Sequence, residues 1–135
     1  MTEYFRARNL KRRKEILKSI KLNCEVSQIK RVIVFVDPEV GFPISLRDFL
    51  SNENYNKIEI RHTPLGHRST YSDFFSYANK NLVGENCIIS NNDIAFDESL
   101  DEINKAEEFK LGGHFICLTR WELMPDNSLK FKEPA

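Results

Sequence analysis

The run Val32–Val36 constrains the fold of this chain more than any other segment. Its five residues, VIVFV, are all β-branched or aromatic, and the strand-breaking pair Asp37-Pro38 follows them directly. A strand without polar alternation suits a parallel sheet that is covered on both faces. The run therefore predicts an α/β fold in which residues 32–36 form a buried parallel strand.

Helix and strand patterns alternate over the rest of the chain. Apolar residues at three- and four-residue steps predict an amphipathic helix over residues 8–24. The other predicted elements are a short helix at 43–50, a strand at 57–61, a helix from about residue 70, a strand at 86–90, an acidic helix at about 99–110, a strand at 114–121, and a tail with a turn at 125–128 and one more short strand. We expect Ser69 or Thr70 to cap the helix that begins near residue 70, with Asp73 close to the capping-box spacing. This alternation predicts one domain over residues 1–135, with three α/β/α layers around a mostly parallel sheet.

Composition and cysteine usage exclude several classes of protein. The chain has 135 residues, of which 41% are hydrophobic and 30% charged, as in an ordinary globular domain. No apolar run approaches the ~18 residues that a membrane span needs, and no secretory signal is present, so we expect a cytoplasmic protein. Cys24, Cys87 and Cys117 are odd in number and lack CxxC spacing. We expect them to be buried, reduced thiols.

The formal net charge of zero hides a strong asymmetry along the chain. Residues 1–31 contain ten Lys or Arg and three Asp or Glu, whereas the remainder contains ten and seventeen. A basic helix can bind nucleic acid, but a solvated helix face, or a face that docks on an acidic surface, explains the same charges, and we expect one of these last two. The basic residues concerned are Arg6, Arg8, Lys11, Arg12, Arg13, Lys14, Lys18 and Lys21.

The strongest local indication of chemistry is a polar cluster after an apolar strand. Asn91, Asn92 and Asp93 follow Ile88-Ile89-Ser90, and ligands of parallel α/β sheets bind where strands end. An aspartate there can hold Mg²⁺ or Mn²⁺, which prefer oxygen ligands. The alternative is a turn that ends the strand, with Asp97 capping the following helix.

Two further charged residues are predicted at the same edge of the sheet. Arg68 precedes a helix start, where a guanidinium and free main-chain N–H groups can bind an anion. Asp37 ends the central strand and can accept hydrogen bonds from a base or a ribose. The alternative for each is a surface salt bridge or a turn. The chain contains no P-loop, GxGxxG, GxSxG or HExxH motif, and its three histidines are too scattered to suggest zinc.

Three sequence blocks resemble nucleotide-sugar glycosyltransferases of the GT-A fold, in particular a family-two-like group. They are RxTYxDFFxYAN at 68–79, IISNNDIxFDxSL at 88–100 and CLTRW at 117–121. Upstream, RxEIL at 13–17 and the strand at 32–36 are similar to the first helix and second strand of that fold. The resemblance covers about residues 4–123. It implies a truncated nucleotide-diphospho-sugar transferase domain with a Rossmann-like sheet.

The resemblance also implies a donor site. Such enzymes use a short acidic motif to coordinate a metal ion that binds the donor diphosphate. Residues 91–93 stand at the position of this motif. It therefore implies that Asp93 is the ligand of Mn²⁺ or Mg²⁺, with Asn92 beside it in the donor site. Asn91 replaces the first carboxylate of the usual motif, which should weaken the affinity for metal. Asp37 stands where these enzymes bind the uracil or ribose, and Glu39 is the second candidate for this role.

The implied reaction is sugar transfer from a UDP-sugar to an unknown acceptor. Metal-bound Asp93 and Arg68 would stabilise the departing diphosphate, and both are the expected catalytic residues. Arg120 and Trp121 are weaker candidates for contact with sugar or acceptor, the alternative for Trp121 being a core aromatic.

The segment after Trp121 is short, so we expect the acceptor-side region to be short or missing. A catalytically weak nucleotide- or sugar-binding module or subunit is therefore the alternative function. The first strand is reduced to residues 1–4, and its open edge offers a route to a homo-oligomer.

Overall fold

The computed structural model describes residues 1–64, 66–105, 116–118 and 120–131. Three strands form a parallel sheet, and two form a separate hairpin. In chain order the elements are β1 at Thr2–Tyr4, α1 at Leu10–Glu25, β2 at Val32–Val36, a 3-10 helix at Ile44–Phe49, α2 at Asn52–Tyr55, β3 at Ile58–His62, α3 at Tyr71–Asn81, α4 at Leu100–Lys105, β4 at Trp121–Leu123 and β5 at Leu129–Phe131.

The parallel sheet has the order β1-β2-β3, so β2 lies in its centre. Tyr4 is aligned with Val36, and Val36 with His62. All three strands run in one direction and therefore end at one edge, which we call the carboxyl edge. The prediction of a mixed α/β fold around a parallel sheet is confirmed.

Both faces of β2 are buried, as its unbroken apolar sequence predicts. On one face, Val34 and Val36 belong to a core cluster with Ile16 and Ile20 of α1. On the other face, Phe35 meets Phe74 of α3 edge to face, with 5.0 Å between the ring centroids. These contacts fix α1 and α3 against the central strand, and burial of such side chains is the main source of stability.

Local capping signals in the sequence correctly mark the start of α3. Thr70 accepts a hydrogen bond from the Asp73 main-chain nitrogen at 3.3 Å, and Asp73 accepts one from the Thr70 nitrogen at 2.7 Å. This reciprocal pair is a capping box. The Thr70 main-chain nitrogen and the Thr70 hydroxyl both donate to the Asp73 carboxylate, and these bonds lower the pKa of this carboxyl below its ordinary value. The helix therefore begins one residue after the predicted cap.

The predicted strand at 86–90 does not form as a regular strand. Even so, the Met1 main-chain nitrogen donates to Ile88 O at 2.6 Å, and Ser90 N donates to Met1 O at 3.2 Å. This is the hydrogen-bond pattern of parallel pairing, and among the described residues it involves Met1 alone. Residues 88–90 thus lie beside the start of the first strand. The prediction that the edge of this strand is open is wrong at Met1.

The predicted strand at 114–121 is also corrected. Residues 116–118 and 120 have no regular structure, and Trp121 begins β4, which pairs antiparallel with β5 rather than joining the parallel sheet. The turn between them is closed by the Met124 nitrogen, which donates to Ser128 O at 2.9 Å. A short hairpin needs only such local bonds. The predicted turn and tail strand are confirmed, whereas residues 106–110, 114, 115 and 119 lie outside the described residues.

The cysteines differ in environment. Cys24 is buried in the core, and burial raises the pKa of its thiol to about 11. Cys87 and Cys117 are exposed, so the prediction of burial is wrong for both, because the segments that carry them do not form the expected strands. Among the described residues, no helix has the length and apolar character to cross a membrane.

Candidate functional site

Three loops leave the carboxyl edge of the sheet. One follows β2 at Asp37, one follows β3 and leads to Arg68, and one follows the segment that pairs with Met1 and contains residues 91–93. Ligands of parallel α/β sheets bind at this edge because the loops there bring polar groups from different strands together. Each of the three loops carries at least one charged residue that the sequence marked as a candidate, and the loop after β2 carries two, Asp37 and Glu39.

Asp37 joins the first two of these loops. Its Oδ1 accepts from the main-chain nitrogen of Glu39 at 2.9 Å, and its Oδ2 accepts from that of Gly66, also at 2.9 Å. Gly66 has a φ of 72°, a conformation that glycine adopts without strain. The turn predicted as the alternative for Asp37 is therefore present. The Glu39 side chain is exposed beside it.

Arg68 is anchored on β1 and remains accessible. Its Nε donates to the carboxylate of Glu3, and its guanidinium lies 3.9 Å from the ring centroid of Phe5. The side chain is still 64% exposed. No protein acceptor contacts its two terminal nitrogens within the described part of the chain. The predicted surface salt bridge is thus present, together with donors that can bind an anion.

Asp93 has two carboxylate oxygens in different environments. Oδ2 accepts from Arg12 Nη1 at 2.7 Å, and the side chain is 27% exposed. Oδ1 is buried and has no hydrogen-bond partner among the described residues. The hydrogen bond between Arg12 and Asp93 Oδ2 holds the pKa of the Arg12 guanidinium above its usual range. A buried acceptor without a protein partner is costly in a folded protein, so an ordered water or an ion is expected at Asp93 Oδ1.

Helix α1 holds the loop that carries Asp93. Asn23 is buried in α1, and its side-chain nitrogen donates to Ile94 O at 2.9 Å while its oxygen accepts from Phe96 N at 2.8 Å. Asn92 is buried as well, at 8% exposure. The two bonds from Asn23 fix the backbone directly after Asp93. The Asp93 carboxylate therefore lies on a braced loop.

Asp97 caps the start of α4, as its alternative reading predicts. The Ser99 nitrogen donates to Asp97 Oδ1 at 3.0 Å, and the Ser99 hydroxyl and amide lower the pKa of the Asp97 carboxyl. Asp97 is exposed. The two carboxylates of this loop thus differ in role, since only Asp93 binds a distant part of the chain.

Arg12 and Asn23 are site residues that sequence reasoning missed. Arg12 lies 81 positions before Asp93, and Asn23 lies 71 positions before Ile94, so no local motif contains them. The one available signal was the opposite charge of the two parts of the chain. This difference predicts attraction between α1 and the acidic residues 32–135. It does not identify which side chains form ion pairs.

The basic residues near and within α1 divide into two groups. Arg12 binds Asp93, Arg13 donates to Ala7 O at 3.1 Å, and Lys21 binds Glu25. The exposed members of the set are Arg6, Arg8, Lys11, Lys14 and Lys18. Nucleic-acid binding through these residues stays a prediction.

Arg120 and Trp121 lie apart from these contacts. Both are exposed, and the Trp121 ring meets Phe131 of β5 with 5.3 Å between centroids. No hydrogen bond or ion pair joins either residue to Asp37, Arg68 or Asp93 in the described part of the chain. At 57% exposure Trp121 is not a core aromatic, because the hairpin side chains around it are exposed too.

The donor set can be compared with what a divalent cation requires. Among the described residues, no three His, Cys, Asp or Glu side chains are grouped to hold a metal ion. Mg²⁺ is often bound by one or two carboxylates and completed by water and substrate phosphates. Asp93, with Asn91 and Asn92 before it in the sequence, fits only this mode of binding, in which the protein supplies one or two carboxylates. Comparisons of this chain with models of protein families, with curated proteins and with solved structures find no match.

Proposed function

We propose that this chain is a glycosyltransferase of the GT-A fold that binds a UDP-sugar at the carboxyl edge of its sheet. The observation that carries the proposal is the braced Asp93 carboxylate, with Arg12 on one oxygen and a buried, unpartnered second oxygen. The sequence blocks that resemble nucleotide-sugar transferases place a donor-binding acid at this position. The parallel sheet and its polar loops provide a matching scaffold.

The uridine would bind at the joined loops after β2 and β3. Asp37 holds these loops together, and its carboxylate oxygens retain lone pairs that can accept from a ribose hydroxyl or a base N–H. Glu39 supplies a second carboxylate, exposed beside the turn. In this role Asp37 also holds the two loops in position for the uridine.

The diphosphate would lie between Arg68 and Asp93. Arg68 has terminal N–H groups that can donate to phosphate oxygens, and the ring of Phe5 supports its guanidinium. Charge develops on the departing diphosphate during sugar transfer. A fixed cation at that place lowers the barrier by electrostatic stabilisation.

Asp93 would hold Mn²⁺ or Mg²⁺ through Oδ1, with Asn92 adjacent in the same loop. When bound, such a cation supplies Lewis-acid stabilisation of the leaving diphosphate. Arg12 neutralises the other oxygen of Asp93, which should lower the affinity for a cation. We therefore expect weak metal binding that strengthens when the donor is present.

Trp121 and Arg120 would contact the transferred sugar or the acceptor. The exposed indole of Trp121 is a flat apolar surface of the kind on which pyranose rings stack.

A binding module without transfer activity is the second candidate function. The observation that favours it is the sparse donor set at Asp93, where no three-residue metal group is found among the described residues. Such a module would bind UDP or a UDP-sugar at the same loops and release no product.

The proposal is tested by measuring UDP release from a panel of UDP-sugars, with and without Mn²⁺ and in the presence of simple sugar acceptors. We expect release that requires Asp93 and is lost in Asp93→Ala. Asp97→Ala is the matched control, because it removes a carboxylate four residues away that only caps α4. Donor binding without release would establish the module instead, and absence of any donor binding would contradict both functions.

A further inference from the structure

The outer edge of β3 exposes main-chain groups that point away from the sheet. Lys57 O accepts from Val32 N at 2.8 Å, and Thr63 N donates to Val36 O at 3.0 Å, so both residues face β2. Main-chain direction alternates along a strand. The N–H and C=O groups of Ile58, Ile60 and His62 therefore point outward.

These outward groups have no main-chain partner within the described residues. One side chain reaches them, since Arg61 Nη1 donates to Ile60 O at 3.2 Å. A carbonyl oxygen can accept a second hydrogen bond. β3 is five residues long, and the outward main-chain groups of Ile58, Ile60 and His62 lack main-chain partners in the described part of the chain. Such a strand is a template for pairing with another strand.

Two opposite charges lie on one face of this edge strand. Glu59 accepts from Arg31 Nε at 2.6 Å and from Arg61 Nη2 at 3.2 Å. Arg61 also donates to the Tyr77 hydroxyl at 2.8 Å and is half exposed. Because Glu59 and Arg61 are two residues apart, their side chains lie on the same face.

We propose that β3 pairs antiparallel with β3 of a second copy of this chain, about a two-fold axis at Ile60. Ile60 then lies opposite Ile60 of the partner subunit, and Ile58 lies opposite His62 of the partner subunit. The outward N–H and C=O groups of these residues form the hydrogen bonds of the new ladder. The two parallel sheets become one continuous sheet.

The charges on β3 select this register. With the axis at Ile60, Glu59 lies opposite Arg61 of the partner subunit, and the same pair recurs across the axis. With the axis at Glu59 or at Arg61, two like charges lie directly opposite each other. Opposite charges across a ladder stabilise it and like charges destabilise it, so of the axes at Glu59, Ile60 and Arg61, the axis at Ile60 is the one that makes β3 complementary to itself.

The pairing is tested with His62→Pro and the matched control His62→Ala, by sedimentation equilibrium over a range of concentrations. Proline removes the outward N–H of residue 62 and leaves the Thr63 bond to Val36 intact. Alanine keeps the N–H. We expect wild type and His62→Ala to dimerise, and His62→Pro to associate about ten-fold more weakly, since it loses two hydrogen bonds per dimer.

Two results would overturn the proposal. One is a wild type that stays monomeric at every concentration, and the other is equal dimerisation of all three proteins, which would place the interface elsewhere. Amide hydrogen exchange provides a second readout that does not depend on a variant. We expect the Ile60 amide to become protected as concentration rises, and concentration-independent exchange at this amide would contradict the pairing.

Discussion

Asp37 and Asp93 both follow apolar segments at the carboxyl edge of the sheet, yet their environments differ. Each oxygen of Asp37 accepts a main-chain N–H from a loop. Asp93 instead has one oxygen on the Arg12 guanidinium and a second that is buried without a partner. Asp37 therefore satisfies the backbone around it, whereas Asp93 retains an unused acceptor. Position at a strand end alone does not separate a structural carboxylate from a binding one.

The different hydrogen-bond partners of Asp37 and Asp93 suggest that the first carboxylate contributes mainly to stability and the second mainly to ligand binding. A carboxylate with satisfied oxygens contributes to folding through its hydrogen bonds. One with an unpartnered oxygen contributes less to folding and is available to a ligand. Substitution of Asp37 should therefore act mainly on stability, and substitution of Asp93 mainly on donor binding, when both properties are measured side by side.

The largest expected effect is that of Asp93→Ala on UDP release. Loss of one electrostatic group at a departing charge lowers a rate by about 10²–10³-fold. We expect the variant to remain folded, since it removes an unsatisfied acceptor together with one partly exposed ion pair. Steady-state kinetics with circular dichroism checks both points. A variant with unchanged rate would remove the distinction between the two carboxylates.

Asp37→Ala should instead destabilise the fold. It leaves the amides of Glu39 and Gly66 without their acceptor, which we expect to lower the free energy of unfolding by about 1–2 kcal/mol. Urea denaturation measures this difference. Glu39→Ala is the control, because its main-chain bond is retained, and it should leave stability near that of the wild type.

Removal of Arg12 should have a smaller effect on stability. The Arg12→Met variant keeps an apolar stem and loses the ion pair, and pairs as exposed as this one contribute about 0–1 kcal/mol. We expect Mn²⁺ to bind this variant more tightly than the wild type, because Oδ2 of Asp93 is freed. Weaker Mn²⁺ binding in Arg12→Met would contradict the role given to Arg12.

The smallest expected effect concerns Asp97. The Ser99 hydroxyl and amide lower the pKa of Asp97 below 3.8, so the ionised cap stabilises the native state above its unfolded pKa and loses this contribution as pH falls through the folded pKa. We expect Ser99→Ala to raise the Asp97 pKa toward 3.8. Carboxyl NMR titration measures it, and an unchanged pKa would show that the hydroxyl contributes nothing.

Features set by neighbouring residues were predictable from the sequence. The burial of Val32–Val36 follows from its composition, and the capping box of Thr70 and Asp73 follows from their spacing. The Arg12–Asp93 contact was not predictable, because it depends on how α1 packs against a loop 81 residues away. The segment at 86–90 has strand-forming residues but finds only Met1 as a partner. Strand propensity therefore could not decide its structure.

The C-terminal hairpin illustrates the same limit. Strand-like residues up to Trp121 predicted a further strand of the parallel sheet, and the local turn at Asp126 and Ser128 instead joins β4 to β5. Local turn chemistry was recognised in the sequence, but its consequence for strand pairing was not. Sheet membership depends on contacts between distant segments, which a single sequence does not specify.

The most direct test is a calorimetric titration of UDP, in the presence and absence of Mn²⁺, on the wild type, Asp93→Ala and Asp97→Ala. The account predicts that the wild type and Asp97→Ala bind UDP more tightly with Mn²⁺, and that this gain is absent in Asp93→Ala. Equal UDP binding by all three proteins, with no effect of Mn²⁺, would contradict the assignment of Asp93 as the donor-site carboxylate.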